Sequence, residues 1–189
     1  RILDLAGEAG LVVIFHNDMD VPFAKAGTEP AYLEQMIALL RRHPKTTIIW
    51  AHMGLGRIVR PVQASASAPA IERNPNHAVI VQQTLADSTL RHVYFDISWD
   101  EVAKYILSGP DVTRRVAELF NKYPDRFLFG TDVVAPKDTT QYYAVFESYK
   151  PLWALLAPDA SAKIRKGNYE RLFDAARTKV RAWEKAQGW

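Results

Sequence analysis

Short apolar runs rich in β-branched and aromatic residues alternate along the chain with longer segments of helical periodicity. The runs lie at residues 11–15, 46–50, 93–97 and 126–129. Runs of this kind are typical of strands covered on both faces of a parallel sheet. Helical periodicity predicts helices at residues 1–10, 29–42, 74–90, 111–123, 142–156 and 160–187, the last one bent near Gly167. The alternation predicts four parallel βα units.

Two folds are built from such units. An open doubly wound sheet normally carries a Gly-rich phosphate turn after an early strand, and the sequence contains neither GxGxxG nor GK(S/T). A (β/α)8 barrel has eight units in about 250 residues, whereas this chain of 189 residues has a pattern for only half of them. We therefore predict an α/β fold, the C-terminal half of a (β/α)8 barrel, as a single domain over residues 1–189.

A half-barrel would leave two sheet edges open, a state that proteins avoid by pairing or covering them. We therefore expect either a fragment of a longer polypeptide or a homo-oligomer in which copies pair their edges. The fragment is favoured because the sequence begins at Arg1 in what reads as a helix. The expected protein partner is accordingly the N-terminal half of the barrel or a second copy.

The composition narrows the classes of partner. A formal net charge of +3, from 24 basic and 21 acidic residues spread along the chain, does not predict nucleic-acid binding. No apolar run approaches the roughly 18–20 residues of a membrane span. The chain has no cysteine, so any metal must be held by His, Asp or Glu. The compartment stays open between cytoplasm and periplasm, with the cytoplasm favoured.

Polar residues follow the predicted strands directly. His16 comes after the first strand, His52 after the second and Asp132 after the fourth. Because loops at the carboxyl ends of parallel strands build the site in such folds, we expect these side chains to converge. Imidazole and carboxylate suit a divalent cation such as zinc, which activates water while a neighbouring His or Asp acts as general base. The other histidines are predicted to lie outside the chemistry: His43, His77 and His92.

Further candidates flank these positions. Asp18 is placed to contact a substrate hydroxyl or the metal's surroundings, or else serves as a turn residue. Arg57 is a candidate for binding a substrate carboxylate through its guanidinium fork, or else forms a surface ion pair. Ser98 and Trp99 end the third strand and are expected to line the pocket, although Trp99 is equally suited to the core. Asp96 alternates toward the barrel interior, where a charge requires a partner.

Several segments together resemble the amidohydrolase-related family (amidohydrolase 2), a branch that includes decarboxylases and lactonases. VVIFHND, TTIIWAHMG, VYFDIS and RFLFGTDVVAP resemble its last four strands, and KIRKGNYERLFD resembles its terminal helix. The resemblance covers nearly the whole chain, and the AHxG and GTDxxxP elements are its most specific parts.

The resemblance implies a distorted (β/α)8 barrel that holds one divalent metal, usually zinc. It implies that His16 is the fifth-strand ligand and that Asp132 is the eighth-strand carboxylate, which binds the metal or its water. His52 would polarise the substrate or handle the proton of the water. The family's first strand normally supplies a His-x-His pair of ligands, and this sequence contains none.

The leading functional hypothesis is a metal-dependent hydrolase that cleaves a C–N or lactone C–O bond of a small, carboxylated substrate with metal-activated water. A non-oxidative decarboxylase of the same fold is the first alternative, with His52 protonating carbon as CO2 leaves and Arg57 anchoring the carboxylate. A non-catalytic half-barrel that serves as an assembly module is the second alternative, motivated by the missing His-x-His pair.

Overall fold

Parallel strands in one sheet form the centre of the molecule. The computed structural model describes residues 1–21, 30–55 and 77–189. Its strands are β1 (Val12–Phe15), β2 (Thr47–Trp50), β3 (Val93–Asp96) and β4 (Phe127–Leu128). They form one four-stranded sheet in the order β1-β2-β3-β4, and every neighbouring pair is parallel. Each strand begins and ends within a residue of its predicted bounds, which confirms the βα units and agrees with part of a (β/α)8 barrel.

Helices connect and follow the strands. They are α1 (Ile2–Ala9), α2 (Leu33–Arg42), α3 (His77–Ala86), α4 (Asp100–Ile106), α5 (Pro110–Lys122), α6 (Thr139–Ser148), α7 (Lys150–Trp153), α8 (Pro158–Ala162) and α9 (Asn168–Ala186). Short 3-10 turns lie at Ser88–Leu90 and Pro124–Arg126, a left-handed turn lies at Ala51–Gly54, and a π turn at Lys163–Gly167 joins α8 to α9. Within the described ranges, no helix has both the length and the apolar character that crossing a bilayer requires.

The helices differ from the predicted ones in several places, and α2 begins at Leu33 where the pattern predicts a start at residue 29. The segment predicted as one helix at residues 142–156 forms α6 and α7, because Pro151 lacks an amide hydrogen and starts a new turn. Helix α4 has no counterpart in the predictions. The predicted bend near Gly167 is confirmed as the π turn. Of the helix predicted at residues 74–90, α3 and the turn Ser88–Leu90 are described, and residues 74–76 lie outside the described part.

Different helices pack against the two faces of the sheet. Side chains from β2, β3 and β4 pack under helices α2 to α5 in the main core, where the strands contribute Ile48, Trp50, Val93, Phe95 and Phe127. Ile49 and Leu128 point to the second face and pack against Leu172 of α9 in a smaller cluster. Since side chains alternate along a strand, Asp96, in register with Leu128, belongs to this second face.

The π turn fixes the end of β4. The Asn168 amide donates to the Lys163 carbonyl, five residues back, which leaves the Ile164 carbonyl without its usual helical donor. That carbonyl accepts the amide hydrogen of Phe129 at 2.9 Å. The buried Asn168 side chain donates to the carbonyls of Pro124 (2.7 Å) and Phe127 (2.8 Å). The last helix is thereby attached to the outer edge of the sheet.

Candidate functional site

The structure brings His16, His52 and Asp132 together, as predicted, at the carboxyl edge of the sheet. The rings of His16 and His52 meet edge to face, with centroids 4.9 Å apart and planes at 87°. His52 Nε2 lies 3.8 Å from Asp132 Oδ2, beyond hydrogen-bond distance but within reach of a shared proton donor or cation. Their predicted roles in catalysis and metal binding remain predictions.

The backbone is strained at these positions. Five non-glycine residues in the described part of the chain have positive φ, and three of them are His52 (φ 55), Trp99 (φ 87) and Asp132 (φ 50). A left-handed conformation costs an L-residue on the order of 1–2 kcal/mol. Such strain persists only where the surroundings impose it, and it concentrates at functional sites. The strain therefore supports a functional role for this edge.

The turn after β2 explains how His52 is held. His52, Met53 (φ 53) and Gly54 (φ 72) are left-handed in succession. A Cβ on Gly54 would lie 2.9 Å from side-chain atoms of Met19 and Trp50, so only glycine fits there. The Trp50 indole donates to the Asn17 carbonyl at 2.7 Å, which ties this turn to the loop after β1.

A cavity of about 830 Å³ opens beside the three side chains. This volume is within the usual range for small-molecule sites, roughly 300–1,000 Å³. Its lining combines the strand ends with α4 and α6: His16, His52, Trp99, Asp100, Ala103, Lys104, Leu107, Thr131, Asp132, Val133, Val134, Gln141, Ala144, Val145 and Ser148. The Trp99 ring lies 5.1 Å from that of His52, so Trp99 lines the pocket as expected.

Asp18 contacts His16. Its Oδ1 lies 2.9 Å from His16 Nε2, and the two side chains are 30% and 42% exposed. The carboxylate therefore orients the imidazole in this structure, and its predicted contact with substrate remains a prediction. For His16 Nε2 to bind another group, Asp18 would have to move aside.

Ser98 and Asp96 lie next to His52. The Ser98 hydroxyl donates to Asp96 Oδ2 at 2.8 Å and lies 3.2 Å from His52 Nδ1. Burial raises the pKa of the Asp96 carboxyl, and the hydrogen bonds from Ser98 and the nearby His52 oppose this rise. Ser98 is buried, so its predicted substrate contact remains untested, and its observed contacts are with Asp96 and His52.

Two basic residues bear on how an acidic group could be bound, Arg57 and Lys104. Arg57 lies outside the described residues. Lys104 of α4 is the one lysine or arginine among the described residues that line the cavity. It pairs with Asp100 (2.9 Å) and Glu101 (2.6 Å), and hydrogen bonds from its ammonium to these carboxylates raise its pKa. Sequence reasoning missed Lys104 because α4 was not predicted.

The donor types of His16, His52 and Asp132 suit a divalent cation. However, residues 1–21, 30–55 and 77–189 contain no group of three or more His, Asp or Glu side chains arranged to hold one. His16 Nε2 is paired with Asp18, and the remaining two donors are 3.8 Å apart. The described residues therefore do not form a complete metal site by themselves.

Comparison with known proteins places the chain in a family. None of the curated proteins compared with the chain matches it. Residues 1–175 match the family described as amidohydrolase, which confirms the resemblance seen in the strand-end motifs. This family comprises metal-dependent hydrolases and related decarboxylases, and it generally uses divalent metals. With the match covering most of its length and the strand-end residues converging on one cavity, the chain belongs to the amidohydrolase family.

Proposed function

We propose that this protein is a metal-dependent hydrolase that attacks a C–N or lactone C–O bond of a small, carboxylated substrate with water. The observation that carries the proposal is the convergence of His16, His52 and Asp132 on one cavity in a chain of this family. We propose zinc as the metal, with His16 and Asp132 among its ligands and the others supplied from outside the described residues.

His52 is proposed as the proton acceptor of the reaction. As the water oxygen bonds to the carbonyl carbon, one O–H bond breaks and the proton passes to His52 Nε2. When the C–N or C–O bond then breaks, the proton passes from Nε2 to the leaving nitrogen or oxygen. Both steps need Nε2 next to the reacting atoms, and His52 lines the cavity.

We propose that Arg57 anchors the carboxylate of the substrate from outside the described residues. Among the described lining residues, the one lysine, Lys104, is already paired with Asp100 and Glu101, so it is not the proposed anchor. The cavity walls contributed by α4 and α6 also present apolar side chains, namely Ala103, Ala144 and Val145. A small molecule with an apolar body would suit these walls, and its acidic group would be held by Arg57.

The test is hydrolysis of a panel of lactones and amides, with and without carboxylates, combined with measurement of bound metal. We expect Asp132→Asn to lower both the metal content and the rate, the rate by on the order of 100-fold or more. Asp174→Asn, the same change on the exposed side of α9, is the matched control and should leave both unchanged. Full activity in Asp132→Asn would refute the assignment. Release of CO2 in place of a ring-opened acid or amine would establish decarboxylation instead.

A further inference from the structure

Asp96 is a partly buried carboxylate to which the proposed reaction assigns no role. It ends β3 on the second face of the sheet, and its side chain is only 16% exposed. Both of its oxygens accept hydrogen bonds from Ser98: Oδ1 from the backbone amide and Oδ2 from the hydroxyl at 2.8 Å. A charge shielded from water is costly unless its surroundings stabilise it, and the groups that stabilise this one are Ser98 and the backbone of His52.

The next residue in the chain of contacts is His52. Three oxygen atoms face its Nδ1: the Ser98 carbonyl at 3.3 Å, the Ser98 hydroxyl at 3.2 Å and Asp96 Oδ2 at 3.8 Å. A carbonyl and a carboxylate can only accept. The hydroxyl has a single hydrogen, which it donates to Asp96, so toward His52 it also presents a lone pair.

Nδ1 is therefore surrounded by acceptors. A neutral imidazole carries one hydrogen, so a hydrogen on Nδ1 leaves Nε2 without one. We propose that Asp96 is a positioning residue that acts through Ser98 to hold His52 as the Nδ1–H tautomer, with the Nε2 lone pair facing Asp132 and the cavity. Among the described residues, His16 and Trp99 also contact the His52 ring through their own rings.

This tautomer bears on the choice between the two reactions of the family. An unprotonated Nε2 can take a proton from water, as hydrolysis requires, whereas protonation of carbon in a decarboxylase requires a hydrogen on Nε2. The Nδ1–H tautomer also places the lone pair of His52 Nε2 opposite the Asp132 carboxylate, 3.8 Å away. Two acceptors that face each other favour a proton donor or a cation between them, in agreement with a site that binds water at this point.

The tautomer can be measured directly. The inference rests on the proposed role of His52, but the experiment uses metal-chelated protein without substrate, so it can fail independently of hydrolytic activity. With ¹⁵N-labelled histidine, two-bond ¹H–¹⁵N correlation spectra distinguish the two neutral tautomers. The spectra are recorded above the ordinary titration range of histidine, and the His52 signals are identified by their loss in His52→Gln. We expect the Nδ1–H pattern in the wild type.

Variants then test the link to Asp96. Asp96→Asn and Ser98→Ala should change His52 from one tautomer to a mixture of both, while Asp174→Asn should leave the spectrum unchanged. A purely structural role for Asp96 would leave the tautomer intact in any variant that folds. An Nε2–H pattern in the wild type would overturn the proposal even if neither variant folded. An unchanged Nδ1–H pattern in folded Asp96→Asn would overturn the role of Asp96.

Discussion

His52 and His77 are both buried, with 8% and 6% of their surfaces exposed, and both contact the same turn. His52 lies within the turn and faces the Asp96 carboxylate on one side of its ring and Asp132 on the other. His77 begins α3, bonds to the backbone of Met53 and packs edge-on against Tyr105, with centroids 5.5 Å apart. Its Nε2 has no hydrogen-bond partner among the described residues.

The comparison shows that burial alone does not mark a functional histidine. Burial lowers the pKa of His77 to about 4, which keeps this ring neutral at ordinary pH. His52 is equally hidden, yet carboxylates lie beside both of its nitrogens and it lines the cavity. The groups that contact the ring therefore distinguish His52, a candidate catalytic residue, from His77, a structural one.

The largest expected difference between the two histidines is in catalysis. His52→Gln removes the proposed proton acceptor and should lower hydrolytic activity by on the order of 10²–10⁴-fold. His77→Gln should change the rate only a few-fold, because His77 does not line the cavity in the described structure. Both variants are assayed at a fixed substrate concentration on folded protein. Equal losses of activity in His52→Gln and His77→Gln would show that the contacts of the ring do not distinguish the two histidines.

The second difference is in the pH dependence of stability. The pKa of His77 falls from 6.5 to about 4 on folding, so between these values the unfolded state binds more protons. The contribution of His77 to the free energy of unfolding should therefore be complete above about pH 6.5. It should decrease as the pH falls toward 4, by up to roughly 3 kcal/mol. Urea unfolding at a series of pH values measures the slope.

His77→Gln is the variant that isolates this effect. Other groups also titrate in the window, among them His92, whose pKa burial lowers as well. The difference between wild type and His77→Gln cancels their contributions. If the two proteins had parallel pH profiles, His77 would not be held neutral by the fold.

The smallest expected effect concerns the neighbour of His77. The Tyr105 hydroxyl is buried without a hydrogen-bond partner among the described residues, and burial raises its pKa. Tyr105→Phe should therefore leave the free energy of unfolding unchanged or raise it by about 1 kcal/mol. Tyr149→Phe is the matched control, because its hydroxyl donates to the Ile97 carbonyl and its loss should cost about 1 kcal/mol. A similar cost for Tyr105→Phe would show that its hydroxyl has a partner.

The sequence predicts the parts of this molecule that depend on local pattern. The strands are short apolar runs, and the polar residues that follow them, His16, His52 and Asp132, converge because parallel strands share one carboxyl edge. The helix α4 escaped prediction because seven residues are too few to show helical periodicity.

The finer geometry of the site depends on contacts between distant parts of the chain. Ser98 and His52 are separated by 46 residues, and no local pattern indicates that their side chains meet. The alternation of β3 places Asp96 on the second face, but it does not reveal which groups satisfy its charge. The left-handed backbone at Trp99 is likewise imposed by its surroundings, since a bulky side chain disfavours positive φ.

In the π turn at Lys163–Gly167, the number of residues matters more than the identity of the exposed side chains. Arg165 and Lys166 are exposed, so many residues should be tolerated there. Removal of a single residue would restore ordinary helical bonding and return the Ile164 carbonyl to its own helix. The Phe129 amide would then lose its acceptor, and Asn168 would rotate away from the carbonyls it binds. The π turn should therefore accept substitutions at its exposed positions, but not at the buried Ile164, and it should tolerate no change in residue number.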